Sequence, residues 1–320
     1  LILRVLVTGG AGFIGSHLVD LLIESRQEVR VIDNFSTGKP SNLKRHLNSC
    51  KLEIETGDLL RPDDISDALN DCEVVYHMAA NPEVRDWLAT PKDLLEQNVE
   101  ATFNLLEAVQ RNGKVETLVF ASTSTVYGEP SVLPTPEEYG PLKPISLYGA
   151  SKLAAEALMC AYASMHGFGC AILRLANIVG PRSGHGVIHD FIEKLRKNPV
   201  ELEVLGDGTQ SKSYLHVRDC VEGMATAARK VGKKVELFNI GSEDKVDVLS
   251  IAKIVKEEMG LADARIKLTG GVDGGRGWVG DVKLMQLDTS RLRSLGWSPR
   301  LNSTEAVRET ARALINSTEK

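Results

Sequence analysis

The chain has 320 residues, 42% hydrophobic and 25% charged, with a net charge of −5 and a pI near 5.9. That is ample material for a buried core and comfortable for two domains, and the charge gives no footprint for nucleic acid or an anionic membrane. Five cysteines (Cys50, Cys72, Cys160, Cys170, Cys220) stand in no C-x-x-C spacing, and no apolar run is long enough to span a bilayer; a reducing, cytoplasmic setting is expected, with no disulfide framework and no metal site.

Residues 2–7 (ILRVLV) form a continuous apolar run, which predicts a strand buried on both faces. A glycine-rich turn follows, then a helical pattern in FIGSHLVDLLIES. Further strands are predicted at 29–33, 51–56, 73–79, 115–122 and 169–176, with helices near 62–70, 91–111 and 147–166. This alternation predicts an α/β fold: a doubly wound parallel (Rossmann) sheet with right-handed crossovers over residues 1–176. Beyond 176, glycine and proline punctuation breaks the rhythm. Helices are expected at 248–259 and 303–315. Residues 177–320 are expected to form a second, smaller α/β substrate domain, with the part near 214–245 returning to the first.

VTGGAGFIGSHL (7–18) lies between the first strand and the first helix. It satisfies G-x-G-x-x-G through Gly10, Gly12 and Gly15, and G-x-x-G-x-x-G through Gly9, Gly12 and Gly15. Glycines there permit a tight turn and let backbone N–H groups approach a pyrophosphate at a helix start. Asp33 ends the next strand, eighteen residues beyond Gly15. An acid there accepts from an adenosine ribose and repels a 2′-phosphate, which favours NAD over NADP. Lys39 lies close by and could soften that exclusion, but is expected to be a solvated lysine. Gly57–Asp58 ends the third strand on the adenine side, and Ala79 and Ala80 leave room at the end of the fourth.

Tyr-x-x-x-Lys occurs twice, as Tyr139–Lys143 and Tyr148–Lys152. Pro141 and Pro144 place the first pair on a loop. The second opens a helix with Ser146 as candidate N-cap, so its two side chains share one face. Leu147, Ala154, Leu158, Ala161 and Met165 are expected to be that helix's buried stripe. A lysine ammonium beside a phenol is expected to lower its pKa towards neutrality, making Tyr148 a base for an alcohol proton. Ser122, Thr123, Ser124 and Thr125 leave the strand at 115–122 and offer a hydroxyl partner at the crevice.

With these motifs together, the sequence resembles the extended short-chain dehydrogenase/reductase superfamily, and within it the archaeal type of the UDP-glucose 4-epimerase family. HMAANPEVR (77–85), NVEATFNLLEA (98–108), RLANIVGPR (174–182), LGDGTQSKSYLHVRD (205–219) and GRGWVGD (275–281) extend the likeness over nearly the whole chain. The resemblance implies tightly held NAD, a UDP-sugar substrate and a homodimer built on the helices at 91–111 and 147–166. It makes Tyr148, Lys152 and Thr123 catalytic. It gives Gly9, Gly12, Phe13, Ile14 and Gly15 to the pyrophosphate, and Asn34, Ser36 and Gly38 with Asp33 to the ribose. Asp58 and Leu59 take the adenine side, and Ala79, Ala80, Asn98, Ser122, Tyr148 and Lys152 complete the cofactor site. Thr123, Ser124, Tyr148, Asn177, Val187, Lys212, Tyr214, Arg276 and Asp281 are implied on the substrate side.

The chain departs from its relatives in places. Lys212 stands where many carry an arginine, keeping charge but losing a bidentate fork. Arg276 precedes Gly280–Asp281 by a longer spacer than the usual R-x-G-D, and Pro82 replaces a lysine of bacterial members. The implied reaction is NAD-dependent epimerisation at C4 of a UDP-hexose (UDP-glucose/UDP-galactose) through a transient 4-keto sugar. UDP-N-acetylhexosamine or UDP-glucuronate 4-epimerases are alternatives, with Leu284 and Met285 expected to help set pocket volume. Dehydratases of this superfamily carry Asp-Glu after the catalytic threonine, and decarboxylases Glu at the second position; Ser124 and Thr125 stand there and argue against both. An NAD(P)H-consuming carbonyl reductase and a non-catalytic NAD sensor are more distant readings.

Overall fold

The structure is a computed structural model that describes residues 2–85 and 90–317. In chain order the first part runs β1 (Arg4–Thr8), α1 (Phe13–Glu24), β2 (Glu28–Asp33), β3 (Leu52–Thr56), α2 (Pro62–Ala68) and β4 (Val74–His77). Helix α3 (Pro91–Leu94) passes through a π-turn (Leu95–Glu100) into α4 (Ala101–Asn112). Then come β5 (Thr117–Thr123), α5 (Leu147–His166) and β6 (Gly169–Leu175). The remainder is β7 (Asn177–Val179), α6 (Val187–Lys197), β8 (Glu201–Val204), β9 (Ser211–Lys212), β10 (Tyr214–His216), α7 (Val217–Lys230), β11 (Val235–Ile240), β12 (Val246–Asp247), α8 (Val248–Glu258), β13 (Arg265–Leu268), β14 (Leu284–Met285), α9 (Ser290–Arg293) and α10 (Ser303–Ser317).

Seven strands make one parallel sheet in the order β11-β6-β5-β4-β1-β2-β3. The strand order reverses at β1, and the crevice outside the carboxyl ends of β1 and β4 is where such sheets bind ligands. Every residue of β6 is buried, including Arg174, which interrupts its apolar run. One hydrophobic cluster joins the sheet to α1 and α7, and another joins it to α2, α4 and α5. Each fully buried leucine there, such as Leu6, Leu18 or Leu118, contributes about 1.5–3 kcal/mol. Within 214–245, α7 packs on α1 and β11 pairs with β6, whereas β10 pairs with β7 outside the main sheet. A third cluster gathers α6, α8 and α10 around β8 and β10. Among the described residues, no helix is long and apolar enough to cross a membrane.

Helix α5 begins where Pro144 and Ser146 predict. The Ser146 hydroxyl accepts from the Gly149 N–H at 3.1 Å, and Gly167 in the left-handed region closes the helix. Its expected buried stripe is the wrong face. Leu147 and Met165 are 48% and 76% exposed, Ala154 and Ala161 are exposed, and Leu158 is half-buried. The face on the sheet is Gly149, Ser151, Lys152, Ala155, Glu156, Met159 and Ala163. Small and polar side chains occupy that face because it carries the lysine to the crevice and packs close to β5 and β6. Apolar periodicity therefore reports the outer surface here.

Candidate active site

The glycine turn closes against β4. Gly9 has a φ of +66°, and a Cβ on it would lie 2.7 Å from the Ala79 nitrogen. A Cβ on Gly15 would lie 2.2 Å from the Gly9 carbonyl oxygen, so α1 can start against the turn only with glycine there. Gly12 is the N-cap and provides no side-chain capping bond, so the first N–H groups of α1, beginning at Phe13 and Ile14, face the turn without a side-chain partner. Asp33 is 7% exposed; its carboxylate accepts from the N–H groups of Ala11 at 2.9 Å and Phe35 at 2.8 Å. It thereby ties the phosphate turn to the loop 34–38, where Gly38 lies against the same carboxylate. Asn34 donates to Asp58 at 3.1 Å and accepts from the Ser36 N–H at 3.0 Å. Leu59 is buried beside them. The Lys39 side chain is exposed. Ala79 donates its N–H to Thr8 Oγ1 at 3.2 Å, and both Ala79 and Ala80 are half-buried. A turn that admits no side chain, a helix start with N–H groups available and an acid at the end of β2 fit the pyrophosphate and ribose of a dinucleotide.

Asn98 lies on the π-turn and is buried. It accepts from the Asn81 N–H at 2.7 Å and donates to Ser151 Oγ at 3.0 Å. It thus fastens the loop after β4 to the first turn of α5, a common use of a π-turn beside a functional site.

Tyr148 in the first turn of α5 and Lys152 one turn further on project toward the end of β5. The Thr123 hydroxyl lies by the Tyr148 phenol and favours its ionised form; its own hydrogen bonds are to the Thr125 N–H and hydroxyl, each at 3.2 Å. Ser124 is buried beside it on a short 3₁₀ turn, Ser124–Tyr127. Lys152 is 3% exposed and sits 4.5 Å over the Phe120 ring. Burial pushes the Tyr148 phenol up to about 12, against the opposing effect of the Thr123 hydroxyl. Burial pushes the Lys152 ammonium down to about 7, against the opposing charge of Glu156. The expected lowering of the phenol by its lysine is therefore corrected: Lys152 has no resolved effect on the phenol, and burial sets the direction at both groups. Ser122 is 3% exposed and donates to the Glu156 carboxylate.

On the other wall, Asn177 donates its side-chain N–H to the Ser213 carbonyl at 3.1 Å. Tyr214 is its register partner on β10 and is buried, which pushes its phenol up. Val187 opens α6. Lys212 Nζ donates to Asp281 Oδ1 at 2.6 Å and lies 5.6 Å over the Trp278 ring. The long spacer after Arg276 folds back on itself: Gly277 donates its N–H to Asp281 Oδ2 at 3.1 Å, and Arg276 donates to the Asp281 carbonyl at 2.8 Å. Lys212, Arg276 and Asp281 thus form one cluster despite the unusual spacing. Met285 is buried with Val126, Tyr127, Ala176, Val282 and Leu287, so it packs into the protein; Leu284 is exposed.

Three residues that sequence reasoning passed over belong to this construction. Glu156 follows Lys152 by one turn and accepts from Ser122 and from Arg174 at 3.0 and 2.8 Å. Arg174 also stacks over the Tyr127 ring, 4.7 Å from its centroid. Glu129 pairs with Arg276. The signal for Glu156 was present: an acid at i+4 from Lys152 and i+8 from Tyr148 shares their helix face.

A family model described as "NAD dependent epimerase/dehydratase family" matches residues 5–241. The chain belongs to that family. Its cofactor is NAD, as Asp33 implies, and the resemblance to UDP-glucose 4-epimerases is borne out. The "Putative UDP-glucose 4-epimerase" of Methanocaldococcus jannaschii is 36% identical over 98% of this chain and 99% of its own. A crystal structure of a UDP-galactose 4-epimerase superposes with a TM-score of 0.87 at 46% identity, covering 98% of this chain and 99% of that one. UDP-glucuronic acid decarboxylase 6 of Arabidopsis thaliana is 33% identical over 95% of this chain and 87% of its own. The family thus spans several outcomes at a nucleotide sugar, and the side chains around Tyr148 must choose among them.

Proposed function

We propose that the protein epimerises a UDP-hexose at C4, with UDP-glucose and UDP-galactose as the default pair, through a transient 4-keto sugar. The observation that carries this is the company of Tyr148: an adjacent Thr123 hydroxyl, a buried Lys152, and hydroxyl residues Ser124 and Thr125 where an added acid or base would stand. Eliminating water or discharging carbon dioxide calls for a further proton donor or acceptor at the sugar; inverting a carbinol needs only one acid–base group and a hydride acceptor.

NAD held by the glycine turn, Asp33 and the loop 34–38 would supply that reversible hydride acceptor and a positive charge favouring phenolate. The chain's own residues do the rest. Thr123 orients the sugar hydroxyl and relays its proton; Tyr148 takes the proton and later returns it. Lys152, with a pKa near 7, holds an exchangeable proton one turn from the phenol. The diphosphate must stay anchored while the sugar turns over, a role that falls to Asn177, Lys212 and Arg276. Val187, Ser124, Tyr214 and Asp281 complete the nucleotide-sugar wall. A cytoplasmic homodimer in galactose metabolism fits the uncoupled cysteines and the apolar outer face of α5.

The test is product analysis. Purified protein, incubated with single UDP-sugars and no added cofactor, should yield glucose and galactose epimers from either one. A 4-keto-6-deoxy product, a UDP-pentose from UDP-glucuronate, or no change would overturn the reading. Faster interconversion of UDP-N-acetylglucosamine or UDP-glucuronate would keep the reaction and change the sugar.

A further inference from the structure

The two cations assigned to the diphosphate are both already held by carboxylates. Lys212 is paired with Asp281, and Arg276 with Glu129. The two acids differ in how firmly they are fixed. Asp281 is 4% exposed, accepts from Lys212 and from the Gly277 N–H, and offers its carbonyl to Arg276. It is a permanent member of the cluster. The Glu129 side chain is 47% exposed, and Arg276 is its one hydrogen-bond partner among the described residues. Lys283, the next nearest cation, is engaged with Asp207 at 2.8 Å and the Gly274 carbonyl at 2.9 Å. Glu129 can therefore swing into water without leaving any buried group unpaired, and Asp281 cannot.

The charges point the same way. With Glu129 in place, two cations face two carboxylates and the cluster is neutral. With Glu129 out, the cluster carries one net positive charge and Arg276 frees a donor edge suited to a phosphate. Arg276 also holds the Glu129 carboxyl below its ordinary range, so at neutral pH it remains an ionised competitor.

We propose that Glu129 is a displaceable occupant of the phosphate site on Arg276, expelled when the diphosphate of a UDP-sugar binds. This rests on the reading of Lys212 and Arg276 as diphosphate ligands. Glu129 loosens ground-state binding and assists product release, and it keeps weak anions such as inorganic phosphate off a bare arginine.

The experiment is UDP binding by titration calorimetry on the full chain carrying its cofactor. Replacing the competitor in Glu129→Gln should tighten UDP about fivefold, the worth of roughly 1 kcal/mol for an exposed pair. Inorganic phosphate should bind the variant measurably better than wild type. In an Arg276→Met background the same Glu129→Gln change should no longer tighten UDP, a non-additivity that a merely structural glutamate would not produce. Unchanged or weaker UDP binding in Glu129→Gln overturns the proposal by that single variant, however Arg276→Met behaves. Failure of wild type and variant alike to bind UDP overturns the underlying reading, and the placeholder with it.

Discussion

Tyr139 and Tyr148 each precede a lysine by four residues, yet the fold treats them differently. Tyr139 lies on a loop, where its hydroxyl accepts from the Ser131 N–H at 3.1 Å and its phenol is shifted down, chiefly by Ser131. Tyr148 meets Thr123 and stands one turn from a buried lysine. Replacing Tyr148 with Phe should lower kcat by about 10²–10⁴-fold, the usual worth of a positioned acid–base group. NAD content, read from the absorbance of denatured protein, should be retained. Tyr139→Phe should change kcat less than about threefold, since the loop phenol holds only the N–H and hydroxyl of Ser131. Equal losses in the two variants would remove Tyr148 from the chemistry. Proline made this choice legible in the sequence: Pro141 and Pro144 deny the first pair a helix, and the Ser146 cap starts one for the second. The ionisation of the pair was not legible. It depends on how deeply β5, α4 and the loop after β4 bury the start of α5, and no local pattern encodes that depth.

The link between α5 and β6 is the Glu156–Arg174 pair, with side chains 5% and 4% exposed. Arg174 also donates to the Glu137 carbonyl at 3.1 Å, and Glu137 in turn accepts from the Asn239 N–H on β11 at 2.8 Å. One guanidinium thus joins the helix bearing Lys152 to two strands and to the loop before that helix. Breaking such a pair leaves a buried charge without a partner, so Glu156→Gln should cost about 3–5 kcal/mol. Thermal melting should fall by about 10 °C. A Glu156→Leu, Arg174→Met double variant should recover most of that loss, because apolar replacements of a whole buried pair are often neutral. If it melts no higher than Glu156→Gln, the pair is not the fastening. Six of the seven strands of the main sheet could be read because each centres on a short apolar or alternating stretch between turn signals, even where β2, β3 and β6 carry charges. The face of α5 could not, because it packs through glycine, alanine, serine and an internal ion pair, a pattern that resembles a surface. β11 was missed for a similar reason: VELFNI carries Glu236, which reaches Arg291 on α9 instead of breaking the strand.

That inverted helix bears on the assembly of the whole molecule. The outward face of α5 is Leu147, Ala154, Leu158, Ala161 and Met165, and α4 beside it exposes Phe103 at 43%. Phe103 packs edge-on to Tyr162, with ring centroids 6.3 Å apart, and Tyr162 donates to Glu107 at 2.6 Å. Two adjacent helices therefore present an apolar surface whose centre is alanine, small enough to let another helix approach closely. Contiguous apolar surface of this kind marks an interface more often than free surface. A two-fold copy would set α4 and α5 against themselves as a four-helix contact, with every residue used on both sides. Sedimentation equilibrium at micromolar concentration should find the wild type as a dimer. Ala161→Glu with Phe103→Glu would bury like charges against their own copies and should give a monomer that keeps its secondary structure, since both side chains are solvent-facing in the isolated chain. Because α5 also carries Tyr148 and Lys152, the monomer should lose heat stability along with the support of that helix. A wild type that sediments as a monomer, or a double variant that stays dimeric, would assign the apolar face to something other than self-association.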